Sequence, residues 1–269
     1  MPKVFLPAIS GLQSSAIAEA LRSSGWDVAG SSRSDTGDAR QRAAGAELLV
    51  LTIPQDHRPG AMTAFVDHWV EAAQSGKVER IVLNLGGTPG PAEVNPFFAD
   101  LHAAVDRVTG SGLPYVILRP TIYFDNLAAP WAKDALTNGM IVYPAAPDVA
   151  VSWLSHRTLG AWVAAVARGA ADGRTIAIGG PDALTGEQLA RQIGQGLGRD
   201  LHYVPLALSD FAEGINAVMG PPAGNRLAAI YEWLGQNPDS MTVNPSEAAQ
   251  FGVTLEPAAE FAARVLASA

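Results

Sequence analysis

The chain contains no cysteine, which removes disulfides, thiolate nucleophiles and thiolate metal ligands from consideration. Charge is also sparse, at 16% of 269 residues. The 18 Lys and Arg are outnumbered by 26 Asp and Glu, for a formal net charge of −8, and no run of basic residues interrupts it. Nucleic acid and acidic membrane surfaces are therefore not expected partners. No apolar stretch approaches the length of a membrane span. The first residues enter a strand without the basic-then-apolar pattern of a signal segment, so a soluble cytoplasmic protein is expected. His57, His68, His102, His156 and His202 show no pair at ligand spacing, so no metal site is expected. A Gly-x-Ser-x-Gly nucleophile turn is missing too, as is any internal repeat.

What is present is a chain 48% hydrophobic, enough for one large α/β domain over 1–269. Its opening, Lys3 to Leu21, reads as a buried strand, a tight turn and a helix. That is how a dinucleotide-binding βαβ unit begins, with the unpaired N–H groups of the first helical turn facing an anion. The three-glycine spacing of that unit survives only at Gly11, with Ala8 in the first place and Ser14 in the third. Ala8 fits if its φ is negative, and Ser14 fits if the strand packs slightly further away. An ordinary strand-to-helix turn reads equally well. On the first reading Ala8, Ser10, Gly11, Leu12 and Gln13 hold a pyrophosphate.

A second strand at 26–30 ends in Ser31-Ser32-Arg33-Ser34. An acidic residue there would read a ribose 2′-OH; Arg33 with Ser32 suits a 2′-phosphate and points to NADP(H). A solvated surface arginine is the alternative. The continuous apolar run 46–54 is a parallel strand buried on both faces, placing Thr52, Ile53 and Pro54 at the ligand edge of the sheet. The next helix carries Ala61, Phe65, Trp69 and Ala73 as a core-facing stripe. A fourth strand at 79–85 runs into Gly86-Gly87-Thr88-Pro89-Gly90-Pro91, read as a mobile lid or a close backbone approach.

The segment Gly112-Leu113-Pro114-Tyr115-Val116-Ile117-Leu118-Arg119-Pro120, followed by Phe124-Asp125-Asn126-Leu127, resembles the NmrA-like branch of the atypical short-chain dehydrogenase/reductases. The resemblance extends through Gly45 to Glu47, Phe65 to Val82, Val151 to Ala167, the strand, turn and helix of Ile178 to Ala190, and Pro257 to Leu266. It implies a Rossmann-like, doubly wound parallel sheet with a small C-terminal substrate-side lobe. Roughly 1–155 would be the nucleotide-binding core and 180–255 mostly the lobe. It implies NADP(H) as cofactor and a quinone, enone or other aromatic small molecule as substrate.

The redox machinery usual in the wider family, a Tyr-x-x-x-Lys helix and a Ser ending the fourth strand, is not intact. The position where NmrA-like members often carry Lys or His falls at Leu101, and a one-residue slip would bring in His102. The expected catalytic groups are thus Tyr123 and His102, Tyr123 being equally readable as a packing residue. The substrate contacts are expected at Gly86, Gly87, Tyr123, Phe124, Asn126 and Trp153, with Trp131 and Tyr143 among the aromatic walls. Two other readings stay open: a non-redox cyclase, isomerase or dehydratase, and a non-enzymatic NADP(H)-sensing regulator. A homodimer is compatible with the sequence.

Overall fold

A computed structural model describes residues 1–32, 38–54, 56 and 58–267. Six strands form one parallel sheet: β1 (Lys3–Leu6), β2 (Asp27–Gly30), β3 (Leu48–Thr52), β4 (Arg80–Asn84), β5 (Tyr115–Pro120) and β7 (Arg174–Ile178), in the order β2-β1-β3-β4-β5-β7. The chain lays β2 on one side of β1 and β3 on the other. That reversal leaves a crevice at the carboxyl ends of β1 and β3, where open parallel sheets bind ligands. The α/β, Rossmann-like expectation holds.

The unbroken apolar runs make both faces of the sheet dry. Leu48, Val50, Val82, Val116 and Leu118 face one way, against α1 (Leu12–Ser23) and α6 (His156–Val166). Leu49, Leu51, Ile81, Leu83 and Ile117 face the other, against α3 (Ala61–Gly76) and α4 (Pro96–Thr109). Each such leucine or isoleucine contributes ~1.5–3 kcal/mol by burial. Asn95 caps α4, accepting from the Phe97 N–H, and Ser155 caps α6, accepting from the Thr158 N–H. Both leave polar donors satisfied at helix starts near the crevice.

α1 and α6 touch backbone to side chain. A Cβ on Gly160 would lie 2.7 Å from the Ala16 carbonyl oxygen and 3.1 Å from the Ala20 Cβ. Glycine at 160, with alanines opposite, is what allows the two helices to meet this closely.

A smaller layer covers the carboxyl edge. It contains α5 (Pro130–Thr137), the parallel pair β6 (Met140–Tyr143) and β8 (His202–Pro205), and α7 (Gly186–Leu197). It also contains the hairpin of α8 (Leu208–Met219) and α9 (Ala223–Gln236) and the closing turns 258–266. Its core includes Phe124, stacked on Trp153 (6.1 Å, 14°) and on Phe261 (5.2 Å, 22°). At the start of α7 the Gln188 side chain accepts from the Thr185 N–H at 2.9 Å, one half of the capping box expected there. The layer draws β6 from before residue 155, and α10 (Ser246–Gln250) instead packs through Ala248 on the main core. Among the described residues no helix is long and apolar enough to cross a membrane.

The α8–α9 hairpin is held at backbone contact. A Cβ on Gly224 would fall 1.9 Å from the Ala212 carbonyl oxygen. The Gly224 N–H donates to Asn216 Oδ1 at 2.8 Å, and the Asn216 amide donates to Asn225 at 2.8 Å. α9 docks on α4 through Trp233 against Phe98 (5.4 Å, 76°) and through the Asn95 amide, which donates to the Arg226 carbonyl.

Candidate active site

A cavity of about 1000 Å³ runs along the carboxyl edge of the sheet, between the start of α1 and the α8–α9 hairpin. One end is the turn between β1 and α1. Gly11 is the N-cap of α1 with φ −69° and ψ 149°, and no side chain caps the helix. The first helical hydrogen bond runs from the Ser15 N–H to the Gly11 carbonyl at 2.7 Å. The N–H groups of Leu12, Gln13 and Ser14 have no partner among the described residues. Three open donors and the positive end of the helix dipole thus meet at the cavity wall.

Ala8 departs from expectation. Its φ is +53°, not negative. The chain turns out of β1 at this residue while Gly11 donates to its carbonyl and Ile9 donates to Ser31, so Ala8 takes a conformation glycine holds more cheaply. Ala8→Gly is therefore expected to raise stability by about 0.5–1 kcal/mol, read as a higher Tm, without loss of ligand binding. Ser14 is buried and lines the cavity.

Ser31, Ser32, Thr52, Ile53 and Pro54 line the same cavity beside Arg58, which is paired with Asp56 at 2.6 Å. Arg33 lies outside the described residues. Ser10 is exposed and does not reach the cavity wall.

Behind the cavity wall Asn84, fully buried at the end of β4, donates to Gln13 Oε1 at 2.8 Å and accepts from the Gly86 N–H at 3.1 Å. The Tyr123 hydroxyl lies 3.4 Å from Gln13 Oε1 and 3.5 Å from Asn84 Oδ1. Burial pushes the Tyr123 phenol far above its ordinary value, with Asn84 only partly opposing. Tyr123 therefore stays protonated and acts as a hydrogen-bond donor. Gly86 and Gly87 line the cavity, but their loop is tied down. Thr88 donates to the Pro120 carbonyl at 3.0 Å, and a Cβ on Gly90 would lie 2.6 Å from the Phe98 ring. This is a close backbone approach, not a lid.

His102 is part of that tether. Its Nε2 lies 2.9 Å from the Gly90 carbonyl oxygen, on the exposed side of α4, and it does not line the cavity. Leu101 is fully buried, so the helix has no slip that would turn His102 inward, and its expected role as pocket acid is withdrawn. Phe124 and Trp153 are corrected as well: both are buried in the core of the covering layer instead of lining the cavity. Trp69 packs on Phe5 at 5.3 Å, yet with Phe65 it also forms cavity wall, so the stripe expected to face the core is shared between core and cavity.

Two groups went unnoticed in the sequence. The first is His156 with Asp125. A parallel bridge pairs Tyr123 with Leu154, and its hydrogen bonds run from the Phe124 N–H to Leu154 and from the Leu154 N–H to Ile122. That register sets Asp125 beside His156. The Asp125 carboxylate accepts from the His156 backbone N–H at 2.8 Å and lies 3.2 Å from the ring Nδ1. The second is a phenol pair. The Tyr143 and Tyr231 hydroxyls are 2.9 Å apart, and the Asn126 amide donates to Tyr143 at 2.8 Å. Burial raises both phenols, Tyr143 to about 12. With Trp131 and Phe211 they wall the end of the cavity under the hairpin. Among the described residues no group of His, Asp and Glu is placed to hold a metal ion.

The cavity suits a dinucleotide. It is elongated, crosses the strand-order reversal, offers unsatisfied N–H donors at one end and rings at the other, and nothing at Ala8 or Ser14 closes it.

No family model matches the chain. It is 26% identical over 186 residues to Prestalk A differentiation protein A of Dictyostelium discoideum, covering 68% of this chain and 58% of that protein. It is 29% identical over 118 residues to the (4-alkanoyl-5-oxo-2,5-dihydrofuran-3-yl)methyl phosphate reductase of Streptomyces griseus, covering 43% and 40%. The chain thus matches about half the length of these curated relatives. Solved structures match it nearly end to end. Triphenylmethane reductase of Citrobacter sp., complexed with NADP(H), superposes with TM-score 0.77 and 17% identity over 98% of this chain and 99% of that one. The NADPH-dependent quinone oxidoreductase of Escherichia coli, complexed with NADPH, gives 0.74 and 18% over 98% and 99%. NmrA, a negative transcriptional regulator complexed with NAD, gives 0.77 and 17% over 98% and 95%. At these identities the likeness is one of fold, and it agrees with the NmrA-like resemblance read from the sequence.

Proposed function

We propose, from the premise that this chain has the fold shared by NmrA and the NADP(H)-complexed reductases, that it is a cytoplasmic NADP(H)-dependent reductase. Its substrate on this reading is a planar conjugated carbonyl compound, a quinone or an enone. The observation that carries the reading is one continuous cavity joining the open N–H groups of Leu12, Gln13 and Ser14 to an aromatic hollow that contains phenol donors.

The cofactor, when bound, supplies the hydride; the protein supplies position and a dry pocket. The start of α1 holds the diphosphate. Ser31 and Ser32, with Arg33, serve the phosphorylated ribose. Gly86 and Gly87 let the backbone come close. Tyr123 donates a hydrogen bond to the substrate oxygen, where negative charge develops. Trp131, Tyr143 and Phe211 pack against the substrate ring, and the α8–α9 hairpin excludes water.

Calorimetric titration of the purified chain with NADPH and NADH, followed by turnover across a panel of quinones and enones, tests this. The expected result is NADPH binding at least about tenfold tighter than NADH, a gap of about 1.4 kcal/mol, with oxidation of NADPH by at least one panel member. No binding at high micromolar NADPH overturns the reading. Tight binding without turnover makes the chain a sensor, and turnover without cofactor makes it a non-redox catalyst.

A further inference from the structure

We propose that His156, oriented by Asp125, is the residue that exchanges a proton with the substrate in this cavity. The inference rests on the reductase reading for its chemistry but on its own geometry for the residue.

His156 is the first residue of α6, and its ring forms part of the cavity wall. Asp125 holds it twice, by the backbone N–H and by the ring Nδ1. A carboxylate accepts only, so the neutral ring carries its proton on Nδ1 and presents the Nε2 lone pair. Nε2 has no partner among the described residues. The ring stands edge-on to Tyr123, 4.8 Å between centroids at 63°. A histidine with a fixed tautomer, one nitrogen anchored and the other open to a ligand cavity, has the geometry of a proton-transfer group.

The other candidates in the cavity lack one of these features. Tyr123, Tyr143 and Tyr231 are held protonated by burial. His68 is exposed, stands against Trp69, and among the described residues has no carboxylate to fix its tautomer. Arg58 is committed to Asp56.

The charges around His156 favour the neutral ring. Burial disfavours the imidazolium and outweighs Asp125, holding the ring below its ordinary 6.5; the start of α6 acts in the same direction. Tyr123 faces the ring uncharged. Arg264 feels the Asp125 charge and forms a two-pronged pair with buried Glu256, at 2.6 and 2.8 Å. Arg157, mostly exposed, lies 3.7 Å from the same carboxylate. This cluster adds no second proton donor to the cavity.

When bound, NADPH would supply the hydride that adds to the substrate carbonyl carbon, or to the β-carbon of an enone. The displaced π pair ends on oxygen, or on the α-carbon, and takes the proton from Nε2–H of the imidazolium. The two electrons gained by the substrate would come from that hydride donor, which would end as NADP+, and solvent reprotonates His156. Oxidation of the alcohol reverses this: Nε2 accepts the hydroxyl proton as hydride leaves. Reduction is therefore expected to slow as pH rises past an apparent value below 6.5, and oxidation to rise through it and plateau.

The test combines spectroscopy with kinetics on the full chain. Nitrogen NMR of histidine-labelled protein, with His156 assigned by its loss in His156→Gln, is expected to show the Nδ1–H tautomer and a midpoint below 6.5. Asp125→Asn is expected to change both. His156→Gln is expected to lower single-turnover reduction of a quinone or enone by about 100-fold, leaving the NADPH Kd within about twofold and flattening the pH profile. An Nε2–H tautomer, or a His156→Gln enzyme with unchanged rate and pH profile, overturns the proposal. If the wild-type chain fails to bind NADPH, the reductase reading falls while the tautomer measurement still judges the dyad.

Discussion

Replacing Gly11 with tryptophan is expected to abolish dinucleotide binding and leave the fold standing. Gly11 caps α1 with φ −69° and ψ 149°, an extended conformation open to any L-residue, so the substitution carries no backbone strain. Glycine at this place is needed for space, because Gly11 is cavity wall directly before the three unsatisfied N–H groups. An indole there stands where a diphosphate must sit and screens those donors. Losing that anchor is expected to weaken NADPH at least about 1000-fold, about 4 kcal/mol, as measured by calorimetry. The Tm without ligand is expected to move by no more than about 2 °C. Gly11→Ala, with one methyl, is expected to cost at most about tenfold. If Gly11→Trp binds NADPH as the parent does, the diphosphate does not lie at α1, and the central premise of the reductase reading is lost.

The second large effect is expected from one methyl group far from α1. Gly224→Ala places a Cβ at 1.9 Å from the Ala212 carbonyl oxygen, and both partners are helix backbone. Neither atom belongs to a flexible side chain, so α8 and α9 must separate. Overpacking of this kind costs about 1–3 kcal/mol, and breaking the Asn216 bond to the Gly224 N–H adds about 1 kcal/mol. The consequence for function is specific. Phe211 and Ile215 come from α8 and Leu227, Ile230 and Tyr231 from α9, and together they wall the substrate end of the cavity. Splaying the hairpin also strains the contact of Phe211 with Tyr231, 5.3 Å at 86°. Gly224→Ala is therefore expected to raise the substrate KM about tenfold or more, with NADPH binding unchanged. Equal losses of both ligands would mean that the hairpin supports the whole cleft rather than its substrate end.

The sheet was legible in the sequence because strands buried on both faces leave unbroken apolar runs, such as 48–51 and 81–83. The α1 turn was legible too, although its residues are atypical. Two kinds of information were not. The backbone angle of Ala8 depends on how β1 must turn, and an alanine gives no sign of a positive φ. The Asp125–His156 pair joins residues 31 positions apart, brought together by a single bridge at Tyr123 and Leu154 that no local pattern announces. Phe124 and Trp153 show the matching error. Aromatic character near a site does not say which side of a bridge a ring occupies, and here Tyr123 faces the cavity while Phe124 turns into the covering layer. Asn84 was the missed signal that could have been found: a polar residue closing an otherwise apolar strand is costly unless something meets it.

α1 and α6 each begin at the cavity, and they are clasped at Gly160 with no room for a single added carbon between them. The anchor for a diphosphate and the imidazole at 156 are therefore mounted on one rigid bracket. A shift of either helix along its axis drags the other, so the spacing between anion grip and proton carrier acts as a fixed gauge. Variation at 160 would recalibrate both ends together, and a cofactor of a different length could not be accommodated by moving one end alone.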